Sequence, residues 1–162
     1  MIADGILIKL ADQSLTVYRD SEVTRRYLVS TAKKGAGQQY GSEQTPLGRH
    51  IVRAKIGAGA QPGAVFVARR LTGEIYSPQM SVAEPERDWI LTRILWLSGT
   101  EVSRNRLGQV DTMRRYIYLH GSPPECVMGE PHSHGCIRMR NEEIIELFNE
   151  VDVGTPVHIV RS

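Results

Sequence analysis

Short strand-like segments, most of them closed by glycine or another turn residue, make up most of this chain and limit what it can fold into. Only the stretch 141–151 has the spacing of an amphipathic helix, with Asn141 as its expected cap and Glu142 and Glu143 in its first turn. Its apolar residues recur at helical intervals and are Ile144, Ile145, Leu147 and Phe148. Many strands and one helix predict a mostly β domain with one clear C-terminal helix, either a sheet curled on itself or a small sandwich, with the functional site at its rim.

The strand segments are runs rich in β-branched and aromatic residues. Residues 6–31 predict a meander of hairpins, and Thr72-Gly73 is the expected tip of a later hairpin. Two polar stretches, 78–88 and 98–113, are expected to be surface loops. The predicted strands are 15–18, 27–30, 51–56, 65–68, 74–76, 89–97, 115–120 and 156–160. Segment 89–97 also fits a short buried helix, but its isoleucine and tryptophan residues and its short length favour a strand.

Composition and length restrict the class of protein. The chain has 162 residues, 41% of them hydrophobic and 23% charged, which predicts one domain spanning 1–162. Its net charge of +2 is too small to indicate a nucleic-acid partner or an anionic membrane surface. The glycine-rich loop 33–44 lacks the Gly-Lys-Ser/Thr ending of a phosphate-binding loop. No segment has the length and hydrophobicity of a membrane span, and the oligomeric state stays open.

The first residues carry no basic region followed by a long apolar run, so the sequence predicts no signal peptide. We therefore expect a cytoplasmic protein, with a periplasmic location as the alternative if a leader has been removed.

The stretch 116–138 concentrates reactive side chains. It contains three of the five histidines and both cysteines of the chain. A thiol reacts as its thiolate, so a cysteine nucleophile gains from an imidazole that takes or shares its proton. Cys136 is the candidate nucleophile. His120 is the preferred base because it ends an apolar run that predicts a rigid strand, and His134 is a second imidazole two positions before the thiol.

Gly135 lets the backbone approach a substrate closely. The backbone N–H groups of Gly135 and Cys136 are therefore the candidate oxyanion hole. Further candidates for substrate contacts are Ser133, Arg138, Tyr118 and Gly121. The alternative roles are, for Arg138, anchoring the loop or a nearby carboxylate and, for Tyr118, packing alone.

Other interpretations of these residues stay open. A lone cysteine is commonly a small buried hydrophobic residue, and Cys126 and His132 are interpreted as loop residues. His132, His134 and Cys136 alternate along the chain and, with His120, offer a tetrahedral metal set. Against that alternative, the chain has no Cys-x-x-Cys knuckle and no acidic general base beside the cluster. A non-catalytic binding module is a further alternative.

His120-Gly121 followed by Ser133-His134-Gly135-Cys136 resembles the signature of the L,D-transpeptidase catalytic domain, the YkuD-like family. Segments elsewhere in the chain fit the same family, so the resemblance covers most of it. These segments are Ser30-Thr31-Ala32, Thr45-Pro46-Leu47-Gly48-Arg49, Arg138-Met139 and Val153-Gly154-Thr155-Pro156-Val157.

The resemblance implies a curled-sheet enzyme that uses a cysteine, needs no cofactor and acts on the stem tetrapeptide of peptidoglycan. It implies cleavage between the L-centre of the diamino acid and the terminal D-alanine. Because water is the abundant acceptor in the cytoplasm, we expect an L,D-carboxypeptidase, a thiol hydrolase releasing D-alanine during peptidoglycan recycling. Transfer to an amine, which makes cell-wall cross-links, is the alternative.

Overall fold

The computed structural model describes residues 3–162, in which ten strands form one open sheet and one long helix packs against it. The prediction that the first residues contain no signal peptide includes Met1 and Ile2, which lie outside the described residues. The strands are β1 (Gly5–Lys9), β2 (Ser14–Arg19), β3 (Glu22–Leu28), β4 (Gly48–Ile56), β5 (Ala64–Val67), β6 (Arg70–Ile75), β7 (Ile90–Gly99), β8 (Tyr118–Gly121), β9 (Ile137–Met139) and β10 (Pro156–Val160). The helices are α1 (Pro78–Ala83) and α2 (Asn141–Glu150), and 108–110 form a 3₁₀ turn. The predicted mostly β class with one clear C-terminal helix is confirmed.

Strand β7 is the centre of the sheet. The main order is β3-β2-β1-β10-β4-β7-β5-β6, and β8 and then β9 extend from β7 as a branch. A bulge in β7 shifts the register of its pairing with β8 between Leu91 and Ile94, and Thr92 there has a φ of 76°. This branch carries the stretch in which the sequence concentrates histidine and cysteine.

The two faces of β7 bury different clusters, as alternation along a strand requires. Leu95 and Leu97 belong to the main core, which also contains Ile144 and Leu147 of α2. Ile94 and Trp96 belong to a smaller cluster on the opposite face. Helix α2 therefore covers one face of β7, and the smaller cluster lies on the other face.

The N-terminal hairpins form as predicted, but β3 is longer than expected. Asp20 and Ser21 make the turn with φ of 51° and 66°, and β3 begins at Glu22 rather than at Tyr27. Its first five residues are exposed because β3 is an edge strand with little to bury. An apolar run therefore does not indicate this part of the strand.

The predicted hairpin tip at Thr72-Gly73 is wrong. Val67 pairs with Arg70, so the turn is formed by Ala68 and Arg69, with φ of 48° and 64°. Thr72-Gly73 lies inside the exposed edge strand β6.

The capping role expected for Asn141 is also wrong. Arg140 is the N-cap of α2 and makes no side-chain cap hydrogen bond, while the Asn141 Oδ1 accepts a hydrogen bond of 2.6 Å from the Thr92 hydroxyl. Asn141 thus joins the helix to the β7 bulge. The polar stretch expected as loop at 78–88 contains the short helix α1, and no helix within residues 3–162 is long and apolar enough to cross a membrane.

Candidate active site

Strand β8 places His120 on the face opposite α2. His120 lies opposite Ile94 in the β7–β8 ladder, and Tyr118 lies opposite Trp96. Residues opposite each other in a ladder share a face. His120 therefore faces the small cluster formed by Ile94 and Tyr118, whereas Leu119 faces the main core. The strand begins later than the predicted 115, because Tyr116 has a φ of 56° and cannot continue a strand.

Cys136 lies immediately before β9, which runs parallel to β8. Its Sγ accepts a hydrogen bond from the Tyr118 N–H at 3.3 Å and donates one to the Tyr116 carbonyl at 3.2 Å. The side chain packs into the small cluster that contains Ile94 and Tyr118. The β8–β9 pair thus brings the candidate nucleophile to the face that carries His120.

The imidazole of His120 is fully buried and held in one tautomer. Its Nδ1 lies 2.6 Å from the Gly121 carbonyl oxygen. A carbonyl only accepts hydrogen bonds, so Nδ1 carries the hydrogen and Nε2 carries the lone pair. Nε2 is buried without a hydrogen-bond partner among residues 3–162. A buried acceptor left free is uncommon, and here it is a base ready to accept a proton.

Burial favours the neutral form of both the His120 imidazole and the Cys136 thiol. Desolvation lowers the pKa of His120 below its usual 6.5. Desolvation also raises the pKa of the Cys136 thiol to about 12, although part of the residue stays open to solvent. Nearby Asp88 raises both pKa values and Arg138 lowers both. At neutral pH the resting pair is therefore a neutral thiol and a neutral imidazole.

Hydrogen bonds to side chains fix the loop before Cys136. The Ser133 hydroxyl donates to the Cys136 carbonyl at 2.5 Å and accepts the Gly135 N–H at 3.1 Å. The buried Thr45 hydroxyl donates to the Gly135 carbonyl at 2.9 Å and accepts the Ala32 N–H at 3.0 Å. The Gly135 N–H is therefore already bonded, whereas the Cys136 N–H has no acceptor among the described residues. Of the two predicted oxyanion donors, Cys136 is the one left free.

The other predicted residues take different positions. His134 is exposed and lines the cavity beside Cys136. Tyr118 is buried and lines that cavity, and its hydroxyl accepts a hydrogen bond of 2.9 Å from the Arg69 Nη1. Ser133 and Gly121 are buried, and a Cβ at Gly121 would lie 2.6 Å from the Leu91 carbonyl oxygen. Ser133 therefore supports the loop before Cys136, and Gly121 supports the strand that carries His120.

Arg138 lies opposite His120 in the β8–β9 ladder and pairs with Asp88 at 3.4 Å. This pair stands beside the catalytic candidates, and Arg138 borders a second cavity together with Cys126. His132 is exposed and bonds to Glu130 at 3.0 Å.

The cavity at the thiol has a volume of about 440 Å³. Beside Cys136 and His134, its wall includes Arg69, Arg115 and Tyr116. A neighbouring cavity of about 230 Å³ shares Arg115, Tyr116 and His134 with it. The two spaces meet at the residues next to the nucleophile.

Sequence reasoning missed Arg69 and Arg115. The sequence predicts that Arg69 follows a strand, but Arg69 forms the β5–β6 turn and lines the cavity. The sequence predicts that Arg115 begins a strand, but its guanidinium donates to Gly37 O, Ser42 Oγ and Gln44 O at 3.1, 3.2 and 2.5 Å. Neither arginine belongs to the motif, and the sequence shows only that each has a second arginine beside it, Arg70 or Arg114.

The alternative of a metal site finds no set of ligands. Within residues 3–162, no three His, Cys, Asp or Glu side chains come together in an arrangement that could hold a metal ion. His132 is bonded to Glu130, and the His120 Nδ1 faces a carbonyl.

The chain matches a family model along nearly its whole length. The model of the L,D-transpeptidase catalytic domain (YkuD) matches residues 3–159. The chain belongs to this enzyme family, as its motifs predict.

Individual relatives match parts of the chain or its fold. The Escherichia coli (strain K12) protein named "Probable L,D-transpeptidase YbiS" is 44% identical over 46 residues, which are 28% of this chain and 15% of that protein. The L,D-transpeptidase structure from Xylanimonas cellulosilytica has a TM-score of 0.62 and 19% identity, covering 98% of this chain and 62% of the other. An L,D-transpeptidase from Mycobacterium smegmatis has a TM-score of 0.57 and 22% identity over 96% of this chain and 57% of the other. The chain thus spans less than two thirds of each relative.

Proposed function

We propose that the protein acts on peptidoglycan stem tetrapeptides through an acyl-enzyme on Cys136, with His120 as base. Water is the proposed acceptor, so the enzyme is an L,D-carboxypeptidase that releases the terminal D-alanine. Family membership supports the substrate class. The observation that carries the mechanism is the buried, unpartnered Nε2 of His120 on the face of the sheet that holds the Cys136 thiol.

In the first step the Cys136 sulfur attacks the peptide carbonyl while its proton moves to the His120 Nε2. The carbonyl oxygen takes the electron pair and is stabilised by the Cys136 N–H, a contribution of about 10²–10³ in rate for one such donor. The tetrahedral intermediate collapses, the C–N bond breaks, and His120 returns the proton to the departing amine. The product is a thioester and free D-alanine.

In the second step water attacks the thioester and gives its proton to the His120 Nε2. The C–S bond breaks, and the same proton restores the Cys136 thiol. The burial of both groups keeps the thiol and the imidazole neutral between steps, so charge develops only during attack.

The form of the cleft supports water as the acceptor. Cys136 keeps part of its surface open to solvent, and the exposed His134 lines the cavity beside it. A cross-linking enzyme has to keep water away from the thioester until an amine arrives.

Cross-linking is the second candidate function, and one observation favours it. The neighbouring cavity of about 230 Å³ meets the first at Arg115, Tyr116 and His134, where an acceptor amine would approach the thioester.

Adducts of solved structures with this fold suggest a direct test of the nucleophile. They include the Ldtfm–avibactam carbamoyl enzyme and L,D-transpeptidase 3 from Mycobacterium tuberculosis with a faropenem-derived adduct. We expect avibactam or faropenem to add one modification per chain, mapped by peptide mass spectrometry to Cys136 and not to Cys126.

The deciding experiment incubates the protein with tetrapeptide, with and without excess acceptor amine, and identifies the products by mass spectrometry. Tripeptide and free D-alanine as the main products in both reactions support hydrolysis. Exchanged or dimeric peptides as the main products refute hydrolysis and favour cross-linking. The Cys136→Ser protein serves as the control for background cleavage.

A further inference from the structure

Arg69 brings an unneutralised positive charge into the cavity beside the thiol. It is half-buried, at the turn between β5 and β6, and lines the cavity together with Cys136. Among residues 3–162 no carboxylate lies within ion-pair distance of its guanidinium. A partly buried arginine without an acidic partner is costly, and in a cavity it indicates a site for an anion.

Aromatic side chains hold the guanidinium in place. It lies 4.8 Å from the centre of the Trp96 ring and 4.7 Å from that of Tyr116, distances typical of cation–π contacts. Its Nη1 donates to the Tyr118 hydroxyl at 2.9 Å. A guanidinium has five N–H donors, so most of them remain for a ligand.

The remaining charges of the cavity do not neutralise Arg69. Asp88, the acidic residue in the wall, is paired with Arg138 at 3.4 Å. Arg115 adds a second positive charge and is held by uncharged oxygens. The wall next to the nucleophile is therefore positive overall.

Arg69 and the thiol contact the same two residues. The Cys136 sulfur is hydrogen-bonded to the backbone of Tyr116 and Tyr118, and Arg69 contacts the side chains of both. In a peptide cleaved before its last residue, the terminal carboxylate lies only about 3.5 Å of chain beyond the scissile carbonyl. A carboxylate and a guanidinium match each other as a two-bond pair.

We propose that Arg69 is the carboxylate-binding residue of this cavity and receives the C-terminal carboxylate of the departing amino acid. The second half of this statement rests on the proposed function. Arg69 would hold the departing residue in place and reject peptides that lack a free C-terminus, and so determine specificity at the cleaved end.

The first experiment tests the carboxylate site without a peptide. Cys136 is alkylated with iodoacetate, an anion, and with iodoacetamide, its neutral counterpart, in protein whose other thiol is removed by Cys126→Ala. Arg69→Gln should lower the iodoacetate-to-iodoacetamide rate ratio by about fivefold or more, because the attraction of the reagent's carboxylate is lost. The ratio cancels any change in thiol reactivity that both reagents share.

Arg70→Gln is the matched control. Arg70 is the adjacent arginine, is exposed in β6 and does not line the cavity, so the same change in net charge there should leave the ratio unaltered. Arg69→Met keeps a long stem against the two rings and repeats the test with different packing. An unchanged ratio in folded Arg69→Gln or Arg69→Met protein overturns the proposal.

The second experiment compares tetrapeptides ending in a carboxylate and in a carboxamide. In Arg69→Gln the KM for the carboxylate peptide should rise about tenfold or more, with little change for the carboxamide. Equal effects on both peptides overturn the assignment to the departing residue. If neither peptide is cleaved by the unaltered protein while the alkylation ratio still falls in Arg69→Gln, the carboxylate site stands and the proposed function fails.

Discussion

Thr45 gives the sharpest test of how the nucleophile's loop is held. Its buried hydroxyl joins two segments by accepting the Ala32 N–H and donating to the Gly135 carbonyl, one residue before Cys136. Thr45→Val keeps the shape of the side chain but removes both hydrogen bonds. It leaves a buried N–H and a buried carbonyl without partners.

The cost follows from those two groups. Each unsatisfied buried group costs about 1–3 kcal/mol, so Thr45→Val should lower the free energy of unfolding by about 2–6 kcal/mol. At ~2–4 °C per kcal/mol for a chain of this size, the melting temperature should fall by at least about 4 °C. The Gly135 carbonyl is also released, so Cys136 should react more slowly with substrate.

Thr45→Ser is the matched variant, because it keeps both hydrogen bonds and loses one methyl group, a loss of about 1 kcal/mol. Urea unfolding of the three proteins measures the difference, and acylation by faropenem measures the reactivity of Cys136. If the Val protein were as stable as the unaltered one, or more stable than the Ser protein, the hydroxyl would not hold the loop as described.

Three further predictions concern the chemistry. Cys136→Ala should abolish D-alanine release without unfolding the protein, while Cys126→Ala should keep D-alanine release, as measured by product mass and circular dichroism. The reverse pattern would show that the assignment of Cys136 as nucleophile is wrong. Because burial lowers the pKa of His120, the base stays neutral below pH 6.5, so kcat/KM should fall only as the pH drops further through that lowered pKa; a decline centred above 6.5 would contradict this. Incubation with a chelator should leave activity intact, and zinc measured at one ion per chain and lost together with activity would revive the metal alternative.

Much of the fold follows from the sequence where a segment is rich in β-branched and aromatic residues. Segment 89–97 reads as a strand because β-branched and aromatic residues fill it, and β7 spans 90–99. Strand β9 has three residues, too short for any pattern to show, and its pairing with β8 is a long-range contact that local signals do not carry.

The sequence likewise predicts some residues of the candidate site and not others. His120 and Cys136 belong to a motif of fixed residue types, so they could be named from the sequence. Arg69 could not, because its place depends on a two-residue turn whose members, Ala68 and Arg69, adopt left-handed conformations without the glycine or asparagine that usually indicates them. The Thr72-Gly73 pair contains such a glycine, so the sequence predicts the hairpin turn there, a few residues after its actual position.

The parallel pairing of β8 with β9 has a consequence for how such an enzyme can diversify. The relative position of His120 and Cys136 is set by these adjacent strands and by the hydrogen-bonded end of their connection, Ser133 to Gly135, and the middle of the connection does not determine it. Its middle, Pro124 to Val127, lies mostly at the surface. Insertions or grafted sequences there can reshape the cavity that Cys126 and Arg138 border while the reacting atoms keep their spacing, so new substrate preferences can evolve, or be engineered, without rebuilding the catalytic pair.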